Sequence, residues 1–104
     1  MAVISVHIWR VKPGRLQEVL GYVGEARKIH ERLGGRVRTW QPIIGGEPNT
    51  FSYVVEFEDI AAYGNFSSKV LADGEWQSFL QRMVGNTDPS AELASSSLLQ
   101  PLEQ

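Results

Sequence analysis

Hydrophobic residues in this chain recur with period two, then with a period near 3.6, then with period two again, and that alternation limits the folds open to it. Residues 2–11 are rich in Val and Ile, with Ile4, Val6 and Ile8 on one side and Val3, Ser5, His7 and Trp9 on the other, the pattern of a strand. Lys12-Pro13-Gly14 breaks it, and Pro13 suits the first turn of a helix, where a missing N–H has no partner to lose. Leu16, Val19, Leu20, Val23, Ala26, Ile29 and Leu33 then fall at three- and four-residue steps, the apolar stripe of a long amphipathic helix. Gly34-Gly35 ends it with a left-handed cap.

A second strand is expected over 36–44, with Trp40 near its middle and Pro42 pointing to an edge position or a bulge, since proline cannot donate to a central ladder. Gly45-Gly46-Glu47-Pro48-Asn49 is a turn, and residues 50–57 form a third strand with Phe51, Tyr53, Val55 and Phe57 on one side. Asp59 caps a helical region to about Leu71, and after Ala72-Asp73-Gly74 a second piece carries Trp76, Phe79, Leu80, Met83 and Val84 at helical spacing. A serine-rich fourth strand is expected over 92–102. The order βαββαβ predicts an α+β, ferredoxin-like domain: a four-stranded antiparallel sheet with both helical layers on one face. At 104 residues the chain, 1–104, is expected to be a single domain.

With 10 basic and 12 acidic residues the chain lacks the basic excess of a generic nucleic-acid or acidic-membrane binder. The order βαββαβ is shared by RNA-recognition modules, but residues 50–57 are out of phase with their third strand, so stacking aromatics would fall on the wrong face. No nucleic-acid or membrane partner is therefore expected. The absence of cysteine removes disulfides, thiolate metal sites and a thiol nucleophile. Together with the lack of a cleavable leader and of an apolar run of about 18 residues, it predicts a cytoplasmic protein.

Helices on one sheet face leave the other bare, and either parity offers it large apolar side chains: Val3 and Trp9 or Ile4 and Ile8, with Trp40 or Ile43. A patch of that size calls for a cover, and a second copy about a two-fold axis is the economical one. Five segments carry a resemblance at this point: Val11-Lys12-Pro13-Gly14, Trp40 ahead of Gly45, Phe57-Glu58-Asp59, Glu75-Trp76-Gln77-Ser78-Phe79-Leu80 and Leu98-Leu99-Gln100-Pro101-Leu102. In that order they resemble the dimeric α+β barrel superfamily, and within it the NIPSNAP-like proteins. The resemblance spans nearly the whole chain and implies a homodimer with two sheets packed face to face around a cavity and helices outside. It implies no single activity, since relatives include small monooxygenases, haem-degrading enzymes, cyclases and dehydratases.

His7 is the leading catalytic candidate, mid-strand beside Ser5 and Trp9 on the more polar side of the first strand, where an imidazole can act as acid or base near neutral pH. Its structural alternative is a half-buried ring bonded to backbone or water. Trp9 and Trp40 are candidate walls for a flat ligand, or dimer-core packing. Arg36 and Arg38 share one side of the second strand and either clamp a carboxylate, with Arg38 the candidate ligand-binding residue, or sit as solvated edge charges. Tyr53 rather than Glu56 is expected to face the cavity. His30 reads as a boundary residue near a helix C-terminus.

No HxH or HxxxH pair exists, so no metal and no cofactor is expected. An oxygenase or haem-binding reading by analogy with superfamily members would want an asparagine beside His7. Asn49, Asn65 and Asn86 all fall in turns or helices. The expected function is cofactor-independent acid/base chemistry on a small apolar or aromatic molecule; the competing class is a non-catalytic dimeric binding or structural module.

Overall fold

The computed structural model describes residues 2–103; Met1 and Gln104 lie outside the described residues. Its elements are β1 (Val3–Val11), α1 (Leu16–Arg32), β2 (Arg36–Trp40), β3 (Thr50–Phe57), α2 (Ile60–Ala72), α3 (Gly74–Val84) and β4 (Ala91–Leu99). The four strands pair antiparallel in the order β2-β3-β1-β4, a ferredoxin-like α+β fold with β1 and β3 in the centre. β2 is an edge strand and ends at Trp40, short of Pro42, which is thereby spared any ladder position.

Register fixes the two faces. Val3 lies opposite Phe57, Ser5 opposite Val55, His7 opposite Tyr53 and Trp9 opposite Phe51, while Val37 of β2 lies opposite Val55. This set faces the helices, and Val3, Val37, Tyr53, Val55 and Phe57 form the core with Ala26, Ile29 and Phe79. The alternate set, Ile4, Val6 and Ile8 with Arg36, Arg38 and Trp40 and with Ser52, Val54 and Glu56, faces away from all three helices.

Local chemistry sets the helix ends. The Asp59 carboxylate accepts from the Ala62 amide at 2.8 Å and the Asp73 carboxylate from the Trp76 amide at 2.9 Å, so each supplies an acceptor that a helix N-terminus lacks. α1 starts at Leu16, three residues later than Pro13 suggests, because Pro13-Gly14 makes the turn itself, with Gly14 at φ +77°. Its stripe is also narrower than expected: Leu16 and Leu20 are half exposed, and Val19, Ala26, Ile29 and His30 are the buried positions. Gly34 closes α1 at φ +100°. Gly35 sits so close to the core that a Cβ would lie 2.8 Å from both Phe66 and Val55.

β4 is shorter than the sequence suggests and carries a register shift opposite Ile8/Trp9. Its residues from Glu92 to Leu99 are all exposed, so its place in the sheet rests on the ladder with β1. The Asp88 carboxylate fastens the loop before β4 to the turn after β1 through Lys12 at 3.3 Å and Arg15 at 3.0 Å, and the Lys12 amide donates to the Ser90 carbonyl at 2.9 Å.

Candidate functional site

Sheet and helices do not close on each other completely. Small and polar side chains from the middle of β1, Ser5 and His7, face Val19, Val23 and Ala26 of α1, and a cavity of about 740 Å³ remains between the layers, partly open to solvent. Phe51, Trp76, Phe79 and Met83 add to its predominantly apolar wall. Trp76 and Phe79, one helical turn apart on α3, stack at 5.2 Å between ring centroids, and they meet His30 and Tyr22 of α1, so the aromatic stripe of α3 turns inward against α1 and the cavity.

His7 is half-buried on this wall, and neither ring nitrogen has a hydrogen-bond partner among the described residues. Burial holds its pKa below the ordinary histidine value, which keeps the ring neutral at pH 7. Directly across the sheet, the Tyr53 hydroxyl shares a 2.7 Å hydrogen bond with Nδ1 of His30, both side chains being only 7% exposed. Burial, reinforced by the nearby His7, pulls His30 down to about 4, and burial pushes the Tyr53 phenol up. Three protonatable groups thus stand uncharged in one apolar space. The His30 ring is held by Trp76 at 4.4 Å and Phe66 at 5.5 Å between centroids.

The structure brings His7, Trp9 and Tyr53 together on this cavity. Trp40 and Arg38 lie on the opposite sheet face. Even-numbered positions of β2 point away from the helices, which leaves Trp40 59% exposed beside Ser52 and ties Arg38 to Glu56 at 3.1 Å; Arg36 reaches the same carboxylate at 4.0 Å. Two arginines that share a side with a tryptophan mark a face whose charges can reach solvent, so neither residue walls the cavity. Asn49, Asn65 and Asn86 do not line it either. Among the described residues no group of three His, Cys, Asp or Glu is placed to hold a metal ion.

His30 is a cavity-lining residue that sequence reasoning placed elsewhere. A position near a helix C-terminus favours a charged imidazole by the helix dipole, but desolvation dominates here and the ring is neutral. Its signal was present in the spacing: Val19, Val23, Ala26 and His30 follow at steps of four, three and four, which puts the ring on the sheet-facing stripe.

A two-layer βαββαβ domain with a cavity between its layers and one bare sheet face has the fold of the dimeric α+β barrel proteins. No protein-family profile and no curated protein matches the chain. Among solved structures it is similar to a NIPSNAP family protein from Agrobacterium tumefaciens, at 21% identity over 99% of this chain and 95% of that one, with a TM-score of 0.73. An uncharacterized NIPSNAP-like domain protein from Burkholderia xenovorans matches at 19% identity over 98% and 86%, with a TM-score of 0.71. A cofactor-independent oxygenase from Streptomyces nogalater matches at 14% identity over 99% and 95%, with a TM-score of 0.68. These likenesses define the fold, which hosts proteins of different activities and others of none yet assigned.

Proposed function

We propose that this is a NIPSNAP-like protein that binds a small, flat, apolar molecule between sheet and helices and moves a proton on it with His7, without a cofactor. The observation that carries the reading is the His7 ring, open on an apolar cavity with both nitrogens free. A neutral imidazole in that position can accept a proton from a bound hydroxyl, and Trp9, Tyr53 and the aromatic wall of α3 would hold the ligand plane. The likeness to a cofactor-independent oxygenase supports chemistry of this kind in such a fold.

The working form is a cytoplasmic homodimer joined through the open sheet face. Support comes from the apolar residues that face carries, Ile4, Val6, Ile8 and the exposed Trp40, together with Leu99 from β4. Trp40 and Arg38 then belong to the assembly surface rather than to the ligand site.

para-Nitrophenol and the more apolar naphthol test the site, because the phenolate of the first absorbs in the visible. Both are expected to bind, and bound para-nitrophenol should ionise at a lower pH in wild type than in His7→Ala. Equal ionisation in the two would remove the proton-transfer role of His7. Failure of both probes to bind would remove the aromatic ligand itself.

A further inference from the structure

We infer that His30 is a second ligand-reading group in the cavity, a fixed N–H donor that selects molecules carrying a conjugated carbonyl as well as an ionisable hydroxyl. The inference rests on the cavity reading above and names the substrate class it would take. It starts from proton bookkeeping. The Tyr53 hydroxyl has one proton, and among the described residues its hydrogen-bond partner is Nδ1 of His30 at 2.7 Å. With the phenol protonated and no other acceptor for it, the hydroxyl donates and Nδ1 accepts. A neutral imidazole that accepts at Nδ1 carries its hydrogen on Nε2, so Tyr53 fixes the tautomer of His30.

Nε2 makes no hydrogen bond among the described residues, and none of their buried side-chain polar atoms is left unpartnered. It therefore keeps accessible surface, and His30 lines the cavity. The space thus presents a free imidazole from β1 and a directed N–H from α1, with Tyr53 between them: it is paired to His7 across the sheet and bonded to His30. An acceptor and a donor on facing layers suit a flat molecule whose hydroxyl meets His7 and whose carbonyl oxygen meets His30.

The chemistry joins the two contacts. When His7 takes the hydroxyl proton, the O–H bond breaks and an N–H bond forms on the imidazole. The electron pair left on oxygen spreads through the conjugated ring to the carbonyl oxygen, where the His30 N–H stabilises the developing charge in a water-poor setting. No oxidant or reductant enters this step. Tyr53 acts through His30 and is a positioning residue.

Two probes of equal size separate this role from general packing. para-Hydroxyacetophenone carries the carbonyl and para-isopropylphenol does not, and the ratio of their affinities cancels any overall damage to the cavity. Wild type is expected to favour the ketone, and that preference should fall roughly tenfold, the worth of one well-made hydrogen bond, in the Tyr53→Phe/His30→Leu double variant, which leaves no orphaned polar partner. Tyr53→Phe alone should lower the ratio by a smaller factor, because the ring keeps its donor and loses its fixed tautomer. An unchanged ratio in the double variant overturns the inference while leaving the cavity reading in place. Binding of neither probe to wild type overturns both.

Discussion

Replacing Tyr53 by phenylalanine removes one oxygen from the interior and leaves Nδ1 of His30 with no partner in a site where both residues are 7% exposed. The lost hydroxyl is a net hydrogen bond, and the orphaned nitrogen adds its desolvation, so the expected cost is about 2 kcal/mol within a range of roughly 1–3. For a domain of this size that is a fall in Tm of roughly 8–16 °C. His30→Leu alone orphans the hydroxyl in turn and should cost a similar amount. The double variant removes both partners together and should cost clearly less than the two single changes added, with a coupling of about 1–2 kcal/mol. Urea unfolding followed by circular dichroism, at one fixed protein concentration, measures all four corners of the cycle. Strict additivity would refute the reasoning, since it would mean that the Tyr53–His30 contact carries no free energy of its own.

Stability should also decline as pH falls from about 6.5 toward 4. The unfolded chain binds a proton to His30 near the ordinary histidine value while the folded chain resists until about 4, so protonation favours unfolding throughout that window. The full effect is on the order of 3 kcal/mol, and His7, shifted the same way, adds to it. The paired carboxylates Glu18, Glu25, Glu47, Asp73 and Asp88 are held low by their arginine, lysine or backbone partners, so their share is lost only at the acid end. Chemical denaturation between pH 7 and 4.5 should show a shallower slope in His30→Leu; an identical slope would mean that His30 is not the residue responsible. Gly35→Ala should destabilise by about 1–3 kcal/mol by overpacking, because its Cβ would press on Phe66 and Val55, and an unchanged melting temperature would show that those side chains give way. Trp40→Glu should turn a dimer into a folded monomer in analytical ultracentrifugation, and a persistent dimer would place the assembly surface elsewhere.

Most of the fold could be read from the chain because its elements alternate cleanly between two periods. Phe51, Tyr53, Val55 and Phe57 share a parity and duly share the helix-facing side of β3. Asp59 and Asp73 are short acceptors at the places where helices begin. Trp40 illustrates what one strand cannot disclose. Parity puts it with Arg36 and Arg38, but which side of β2 meets the helices follows from pairing with β3, a long-range fact that hydrophobicity alone misreads. His30 was hidden for a different reason: a histidine on an apolar stripe looks like a boundary residue until Tyr53, from a strand 23 positions away, provides its partner. The cavity is harder still to foresee, because it is a deficit of side-chain volume summed over β1, α1, α2 and α3 rather than a property of any segment.

The strict alternation along β1 has an evolutionary corollary. Ser5, His7 and Trp9 can be exchanged one by one without touching Ile4, Val6 and Ile8, because the two sets never share a side of the sheet. A lineage can thus rewrite the contents of the chamber while its outer surface is inherited unchanged. The same geometry makes length the unforgiving variable. Deletion of a single residue within this strand would reverse the facing of every residue on one side of the cut relative to those on the other, so substitutions are tolerated here where one-residue indels are not.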